Sequence, residues 1–327
     1  MEFDKNDRML EILIRCLRGE RISPKKLAEE YGVSTKSISR DISRIQNFLS
    51  DHRELVHNAE LTYSRSDRTY HFDNEEFLKN KELFVLVKIL LGSRSLNRDD
   101  MLRIIEKLKS FTTAGDRESL ENIIRKEIYH YHEVKSDCPS VIDNLWKLIG
   151  SIEDKRMLTI DYFQKSRNRV KVKILPAAVM FSEYYFYLIA YIAEDFAFRA
   201  QHFRIDRIAS ITEHREHFQL EKQYDFDEGE LRERNQFMFP GETIKIRFEF
   251  WGSSLQAILD RLPTAKVIEK RGNVSVIEAD VNDGRGIMMY LLSQGKYLKV
   301  LSPAPFVKKM KQEIEGMKNL YENDIVT

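Results

Sequence analysis

Two stretches decide the fold of this chain, Phe186-Tyr187-Leu188-Ile189-Ala190-Tyr191 and Phe203-Arg204-Ile205-Asp206-Arg207-Ile208. The first is almost entirely apolar and aromatic, which is typical of a buried strand. In the second, period-two alternation predicts a strand whose polar face carries Arg204, flanked by His202 and Asp206. We expect this face to hold an anionic ligand, because arginine offers a rigid set of donors to phosphate and carboxylate groups.

The two stretches resemble the WYL domain, a small Sm-like β-barrel found mostly in bacterial transcription regulators. In that family a Trp-Tyr-Leu strand precedes a strand that ends in a Phe-Arg-Leu-Asp-Arg-Ile pattern, and Phe186 stands here in place of the tryptophan. The flanking runs agree: residues 158–162 predict a first strand, and residues 174–179, with Pro176, match the second strand of the family. The resemblance implies that this domain senses an effector, a nucleotide or a short single-stranded nucleic acid.

Seven side chains around these strands form the candidate effector-binding set: Tyr162, Ser182, Tyr185, Gln201, His202, Arg204 and Arg207. Arginine donates to phosphate, tyrosine stacks on a base, and serine or glutamine completes the hydrogen bonding. The competing interpretation is structural. In it Arg204, Asp206 and Arg207 form an ion network at the barrel edge, and Tyr187 and Tyr191 lie partly in the core.

Length and composition set the outer limits of the prediction. A chain of 327 residues is long enough for two or three domains, and 42% hydrophobic with 32% charged residues is typical of a soluble globular protein. No run approaches the roughly 18 apolar residues of a membrane span, and the acidic, polar residues 1–5 do not resemble a signal peptide, so we expect a cytoplasmic protein. The net charge of +1 requires any nucleic-acid contact to come from local basic patches.

The beginning of the chain predicts a helix-turn-helix arrangement. A first helical pattern ends at Gly19, and Ser23 and Pro24 then open a short second helix that Gly32 ends. Ser34 is the expected N-cap of a third helix, which the order of elements makes the recognition helix for a DNA major groove.

The expected recognition helix has two different faces. Apolar side chains lie on one side, at Ile38, Ile42, Ile45 and Leu49, and a basic, hydroxyl-rich face lies opposite. The alternative is a solvated helix face with ordinary charges. The candidate DNA-binding residues are Ser34, Thr35, Lys36, Ser37, Ser39, Arg40, Ser43, Arg44, Arg65 and Arg68.

The last two of these arginines lie in an expected wing. Residues 59–73 alternate as two short strands around a polar turn, with Arg65 and Arg68 at the tip, where they can meet phosphate or the minor groove. Helices and hairpin together resemble the winged helix-turn-helix usually joined to WYL domains, and residues 33–42 match its recognition-helix pattern. The usual glycines of the wing turn are missing here.

The middle of the chain predicts helices throughout residues 74–132, with a wide apolar surface that the WYL barrel or a second copy of the chain must cover. We favour a homodimer, because two-fold symmetry doubles the phosphate contacts of a single helix-turn-helix.

Residues 213–234 are charged and predict an exposed excursion. Residues 243–321 then predict the order β-α-β-α-β-α, and residues 291–303 resemble the WCX extension of WYL proteins.

No enzyme motif emerges from the sequence. Walker A, GxGxxG, HExxH and GxSxG patterns are missing, so we expect no catalytic residues, no enzyme activity and no cofactor. A ligase domain behind the helix-turn-helix would need a Gly-rich nucleotide loop after residue 75, and none is found. Cys16 and Cys138 are expected to be buried free thiols, and the histidines at 130, 132, 214 and 217 to be surface groups rather than metal ligands.

The sequence therefore predicts an α+β multidomain protein with four parts: a winged helix-turn-helix (1–73), a helical linker (74–137), an Sm/SH3-like WYL barrel (138–220) and an α/β WCX extension (238–322). The expected function is a dimeric, sequence-specific DNA-binding transcription regulator, modulated by an effector bound at the WYL domain. The alternative is a nucleic-acid-binding module without promoter specificity, which grips RNA or single-stranded DNA through the barrel.

Overall fold

The computed structural model describes residues 4–56, 59–73, 80–112, 114–195, 199–219 and 228–322. The chain divides into two compact units, Met1–Val134 and Lys135–Thr327. Within the described ranges, no helix combines the length and the apolar character needed to cross a bilayer.

The first unit is helical apart from one hairpin. Its elements in chain order are α1 (Lys5–Leu17), α2 (Pro24–Glu30), α3 (Thr35–Asp51), α4 (Arg53–Val56), β1 (Glu60–Ser64), β2 (Thr69–Asp73), α5 (Asn80–Ser93), α6 (Arg98–Lys109) and α7 (Ala114–Tyr129). The three helices and the hairpin expected at the beginning of the chain are thus present in the expected order.

The apolar side of α3 forms the core of the helical cluster. Its members Ile38, Ile42, Ile45 and Leu49 are buried, as the sequence predicts, and they pack with Ile12 of α1. Several apolar side chains of α1 lie on the exposed side of that helix; these include Leu10, Ile14 and Leu17.

The hairpin pairs β1 with β2 in antiparallel register, with Leu61 opposite Phe72. Its turn contains no glycine. Arg68 instead adopts the left-handed conformation, with φ of 55°. A bridge between Ile22 and Tyr70 attaches the hairpin to the segment before α2, so the missing wing glycines do not prevent the hairpin from forming.

The helices α5, α6 and α7 correspond to the expected helical linker. Leu83 and Val87 are buried within it, whereas Val85 and Ile89 are 53% and 64% exposed. Two of the apolar residues on which the linker prediction relied, Phe77 and Leu78, lie outside the described residues.

The second unit contains two β-sheets and several helices. Its elements are α8 (Val141–Glu153), β3 (Arg156–Phe163), β4 (Arg169–Ser182), β5 (Tyr185–Ile192), β6 (Ala200–Arg204), a 3₁₀ turn (Ile205–Arg207), β7 (Ile208–His217), α9 (Glu228–Arg234), β8 (Thr243–Phe250), α10 (Leu255–Arg261), β9 (Lys266–Arg271), β10 (Val274–Asn282), α11 (Arg285–Ser293), a 3₁₀ turn (Gly295–Tyr297), β11 (Leu298–Ser302) and α12 (Ala304–Glu322).

The first sheet of this unit has the strand order β6-β5-β4-β3-β7. Its two edge strands are joined by only the three residues Ile205–Arg207, which requires the sheet to roll up strongly. Among the described residues no ladder joins β6 to β7, so the sheet is not the closed barrel that the sequence predicts. The rolled sheet buries Leu158, Ile160, Ile174 and Leu188.

Two local predictions in this sheet were wrong. Asp206 does not continue the strand of Arg204, because β6 ends at Arg204 and the chain turns through the 3₁₀ segment to reach β7. Residues 213–217 form the end of β7, paired with β3, rather than an excursion, although most of their side chains are exposed as predicted. Residues 213–217 are mostly charged, so the sequence shows no alternation of apolar and polar residues that would predict a strand there.

The second sheet has the order β11-β8-β10-β9, with α10, α11 and α12 contributing to the core against it. The expected order omitted one strand, β9. Its six residues include four charged side chains and only two apolar ones, so the sequence lacks a clear strand pattern there. The largest fully buried side chains of this core are Phe248 and Phe306.

Two adjacent residues connect the cores of the two sheets. Met238 is buried in the cluster of Ala178 and Ile189 on the first sheet, whereas Phe237 packs against the core of the second. Both are in the left-handed conformation, with φ of 55° at Phe237 and 54° at Met238. Because this backbone conformation costs free energy in residues other than glycine, the packing on both sides must stabilise it.

Candidate nucleic-acid and effector sites

The exposed face of α3 begins at a capped helix end. Ser34 Oγ accepts a hydrogen bond of 3.1 Å from the backbone N–H of Ser37, and the two hydroxyls lie 2.9 Å apart. The cap satisfies one of the free amide groups at the helix start and leaves the first turn open to solvent. Thr35 and Lys36 are exposed there, and Ser37 is half-buried.

Farther along α3 the predicted contact residues are also exposed. Lys36, Arg40 and Arg44 make no ion pair among the described residues, so their charges are available to a ligand without rearrangement. The hydroxyls of Ser39 and Ser43 donate bonds of 2.9 Å to backbone carbonyls one turn earlier. Their oxygens still have free lone pairs for a donor on a base edge.

A buried ion pair holds α3 on α1. Arg8 Nε donates to Asp41 Oδ2 at 2.8 Å, and Arg8 Nη2 lies 2.7 Å from the same oxygen. The side chains are 8% and 1% exposed, and Asp41 Oδ1 has no hydrogen-bond partner within the described part of the chain. Nothing in the local sequence pattern singled out this pair, because Asp41 reads as one more charge in a charged helix. The pair joins α3 to α1 inside the helical cluster.

The tip of the β1–β2 hairpin presents both predicted arginines. Arg65 and Arg68 are exposed, and neither makes an ion pair among the described residues. Asp67 between them pairs with Arg21, which fixes the tip against the segment before α2. The negative charge at the tip is therefore compensated, and the two arginines remain as its cations.

The predicted effector site contains a different arrangement, centred on Arg204. The Arg204 guanidinium lies over the Tyr185 ring, 3.4 Å from its centroid. Nε and Nη2 donate to the two carboxylate oxygens of Asp206, at 3.0 and 2.6 Å. This is the bidentate geometry in which arginine also binds phosphate. One side of the guanidinium is thus occupied by the protein's own carboxylate.

The electrostatics of this site favour a permanent charge on Arg204. Burial by itself opposes the charge, but the hydrogen bonds and the negative charge of Asp206 outweigh it and hold the pKa of Arg204 above its ordinary value. Nearby, burial raises the pKa of Tyr187 to about 12, so that phenol stays neutral. The Arg204 side chain is 18% exposed against 9% for Asp206, so the cation is the more accessible partner.

Two further predicted residues lie next to Arg204. The backbone N–H of Arg204 donates to Tyr162 Oη at 3.4 Å, and Tyr162 packs edge-on against Phe203. Ser182 pairs with Tyr185 at the end of the β4–β5 hairpin. The structure therefore brings Tyr162, Ser182, Tyr185 and Arg204 to one end of the sheet.

The other three predicted residues are placed differently. His202 Nδ1 bonds to the carbonyl of Met238 at 2.8 Å, and burial lowers the pKa of His202. His202 and Gln201 line a separate cleft of about 550 Å³ beside Arg199 and Asn282. Arg207 is half-buried in the 3₁₀ turn and makes no ion pair among the described residues.

Asp206 also holds the start of the second unit. Its backbone carbonyl accepts from the N–H groups of Asp137 at 2.8 Å and Cys138 at 3.1 Å, and from Ser136 Oγ at 3.2 Å. These residues directly follow the boundary between the two units at Val134. Asp206 thus binds Arg204 through its carboxylate and residues 136–138 through its backbone carbonyl. Nothing in the sequence pattern indicates this second role.

The Arg204 site places a guanidinium against an aromatic ring, and these groups suit an anion and a stacked base. Within the described part of the chain, no group of three or more histidine, cysteine, aspartate and glutamate side chains is close enough to hold a metal ion. Both cysteines are free thiols; Cys16 is buried as expected, whereas Cys138 is only half-buried.

Comparison with known proteins agrees with the resemblance found in the sequence. The WYL domain family matches residues 143–213, and the WCX domain family matches residues 241–318. This chain is therefore a WYL-domain protein with a WCX extension. No curated protein sequence matches it.

Two solved structures are similar over long stretches. Proteasome accessory factor B/C (PafBC) of Arthrobacter aurescens is 15% identical, with a TM-score of 0.31; the match covers 98% of this chain and 49% of that one, so this chain spans about half its length. A CRISPR Cas-related protein is 17% identical, with a TM-score of 0.39 and coverage of 77% and 76%. These TM-scores carry no ligand, partner or activity over to this chain.

Proposed function

We propose that this protein is a dimeric, sequence-specific DNA-binding transcription regulator whose affinity for DNA is set by an effector at the WYL domain. The observation that carries the proposal is the outward face of α3. Its N-cap is in place, its apolar side is buried, and Lys36 and Arg40 stand exposed without ion pairs among the described residues. Such a face can enter a major groove, with Arg40 donating to guanine acceptors and Lys36 to phosphate.

The hairpin after α3 would act as the wing of a winged helix-turn-helix. Arg65 and Arg68 are at its tip, and a wing beside a recognition helix runs along the duplex. Thr35, Ser37, Ser39, Ser43 and Arg44 would complete the contacts of the helix with base edges and backbone.

The effector would bind where Arg204 and Tyr185 meet, on a sheet that we take to be a rolled, Sm-like barrel left open at its edges. A nucleotide or a short single-stranded nucleic acid brings a phosphate for the guanidinium and a base for the tyrosine rings. Asp206 holds the Nε and Nη2 edge of the guanidinium, and we propose that the phosphate takes this edge by replacing the carboxylate. Replacement would weaken the hydrogen bonds that the Asp206 backbone carbonyl accepts from residues 136–138. In this way the effector would alter the segment that follows the boundary between the two units.

A homodimer is part of the proposal. Two copies double the phosphate contacts, and the exposed apolar residues of α5 offer surface that a second copy can cover. We further propose that the protein is not an enzyme and acts without a cofactor, through double-stranded operator DNA in the cytoplasm.

The second candidate function is a nucleic-acid-binding module without promoter specificity. The Arg204 site favours it directly, since cation and ring suit a single strand of any sequence. Steep salt dependence without sequence preference would mark this function.

One experiment separates the two candidates. The purified protein selects fragments from sheared genomic DNA, with and without a short single-stranded oligonucleotide, and the recovered fragments are sequenced. We expect an inverted repeat with half-sites about one or two helical turns apart, and a change in its recovery when the oligonucleotide is present. Fragments without a shared sequence would favour the second candidate.

A further inference from the structure

The hairpin that joins β3 to β4 carries a local concentration of positive charge. Five basic side chains lie between residues 165 and 173, and we call them the basic hairpin: Lys165, Arg167, Arg169, Lys171 and Lys173. The chain as a whole has a net charge of only +1, so this density is a local feature. None of the five belongs to the effector-binding set around Arg204.

The strand pairing places three of these cations in one row. Arg169 lies opposite Phe163 on β3, and Lys171 and Lys173 follow at alternate positions of β4. Alternate residues of a strand share a face, and about 3.4 Å per residue gives a spacing of about 7 Å between neighbouring cations of the row. Arg169 and Lys171 are exposed, and Lys173 is half-buried.

Few negative charges oppose this row. Asp161 accepts a bond of 2.7 Å from Arg169, and Glu216 lies 3.5 Å from Lys173. Arg167 and Lys171 make no ion pair among the described residues, although Asp161 lies opposite Lys171 in the strand register and its charge also acts on Lys171. The surface therefore keeps a net positive charge that its own carboxylates do not neutralise.

The neighbouring strands add neutral hydrogen-bonding groups to the same face. The register places Thr159 of β3 between Lys173 of β4 and Thr212 of β7. Ser210 is two residues from Thr212 on β7, and both are exposed. Hydroxyls next to cations are typical of surfaces that contact phosphate oxygens.

We propose that the basic hairpin is a second contact surface for single-stranded nucleic acid, which holds its phosphate backbone while the Arg204 site holds one phosphate and base. The inference rests on the effector class given in the proposed function. A row one cation wide fits one backbone, whereas duplex DNA presents two backbones across a groove of about 12 Å. Phe163, whose ring lies 5.7 Å from the Arg169 guanidinium carbon, adds a stacking surface at the end of the row.

The test measures binding of a fluorescent oligothymidylate of about 12 nucleotides to the full-length chain by anisotropy, over a series of salt concentrations. Each phosphate contact on a single strand contributes about 0.7 to the slope of log affinity against log salt. The double variant Arg167→Ala/Lys171→Ala should therefore lower the slope by about 1.4. The charge-keeping double variant Arg167→Lys/Lys171→Arg should leave it at the wild-type value.

Lys270→Ala is the matched control, because Lys270 is an exposed strand lysine of β9 without an ion pair among the described residues. It should not change the slope. Three results would overturn the proposal: an unchanged slope in the double alanine variant, an equal loss in the Lys270 control, or an equal loss when a duplex of the same length replaces the single strand.

The result stays separate from the proposed function. Operator binding depends on α3 and is measured with duplex DNA, whereas this test uses a homopolymer without an operator. If the protein selects an inverted repeat but does not bind the oligothymidylate, the basic hairpin proposal fails and the regulator remains. If the oligothymidylate binds with the expected slopes and no repeat is selected, the regulator fails and the surface remains.

Discussion

The outward face of α3 and the Arg204 site are both cationic, but they differ in how their charges are held. On α3, Lys36 and Arg40 are exposed and without ion pairs among the described residues. At the other site, Arg204 is stacked on Tyr185 and bound to Asp206. A ligand can therefore dock on α3 with little rearrangement, whereas a ligand that takes the Nε and Nη2 edge of Arg204 competes with a carboxylate of the protein. The first arrangement suits constant recognition, and the second suits a switch.

The largest expected effect concerns what holds α3 in place. Asp41→Ala removes one partner of the buried ion pair and leaves the charge of Arg8 uncompensated, so we expect a loss of about 3–5 kcal/mol in the free energy of unfolding. Denaturant titration of the full chain, with hydrogen exchange in α1 and α3, measures it. The double variant Arg8→Met/Asp41→Leu is the control and should recover most of the loss. If Asp41→Ala costs less than about 1 kcal/mol, the pair does not set the position of α3.

The next effect concerns recognition itself. Arg40→Ala should weaken binding of the selected duplex by about 1–3 kcal/mol, or roughly five- to 150-fold, because a side chain that bridges two base acceptors contributes that much. Folding should change by no more than about 0.5 kcal/mol, since Arg40 is exposed. Arg125→Ala, at an exposed arginine of α7, is the matched control in titrations of labelled duplex. Equal affinities of the Arg40 variant and the wild type would rule out this face of α3.

The competition at Arg204 predicts a gain rather than a loss. Asp206→Asn keeps the shape of the side chain but removes the charge that holds the guanidinium, so an anionic effector should bind more tightly. We expect a gain of about tenfold, because a charge-assisted hydrogen bond contributes on the order of 1.5 kcal/mol. Calorimetric titration with a short single-stranded oligonucleotide measures the gain. Weaker binding by a folded variant would show that Asp206 supports the ligand instead of competing with it.

The smallest effect is a dependence of stability on pH through His202. Burial lowers the pKa of this side chain in the folded protein, so the unfolded chain binds the proton more readily. Its contribution to stability is complete above the unfolded pKa of about 6.5 and falls as the pH drops below it, by at most about 1.4 kcal/mol per pH unit. His202→Gln, which can still donate to the Met238 carbonyl, should flatten this part of the stability profile. An unchanged profile would contradict the assignment.

The sequence predicted those parts of the fold in which one pattern dominates. The apolar run 186–191 lies in β5, and the helical spacing of Ile38, Ile42 and Ile45 places them on the buried side of α3. Strand β9 was missed, because charged residues outnumber apolar ones in it. Asp206 lies in the 3₁₀ turn and not in the predicted strand. The position of this turn depends on how the whole sheet folds, which local alternation does not reveal.

The candidate sites followed the same division. The exposed residues of α3 could be predicted, since helical periodicity alone separates its two faces. Arg204 and Tyr185 were predicted from the motif, but the contacts of Asp206 with Arg204 and with residues 136–138 depend on the tertiary fold. The ion pair of Arg8 and Asp41 joins residues 33 positions apart and gives no periodic signal.

The most direct test of the account measures whether the two cationic sites are coupled. A short single-stranded oligonucleotide is titrated into the complex of the protein with its selected duplex, for the wild type and for Arg204→Ala. We expect the oligonucleotide to change the duplex affinity of the wild type by about 5- to 150-fold, the usual range of such coupling, and to leave that of the folded Arg204 variant unchanged. The same change in both proteins would contradict it.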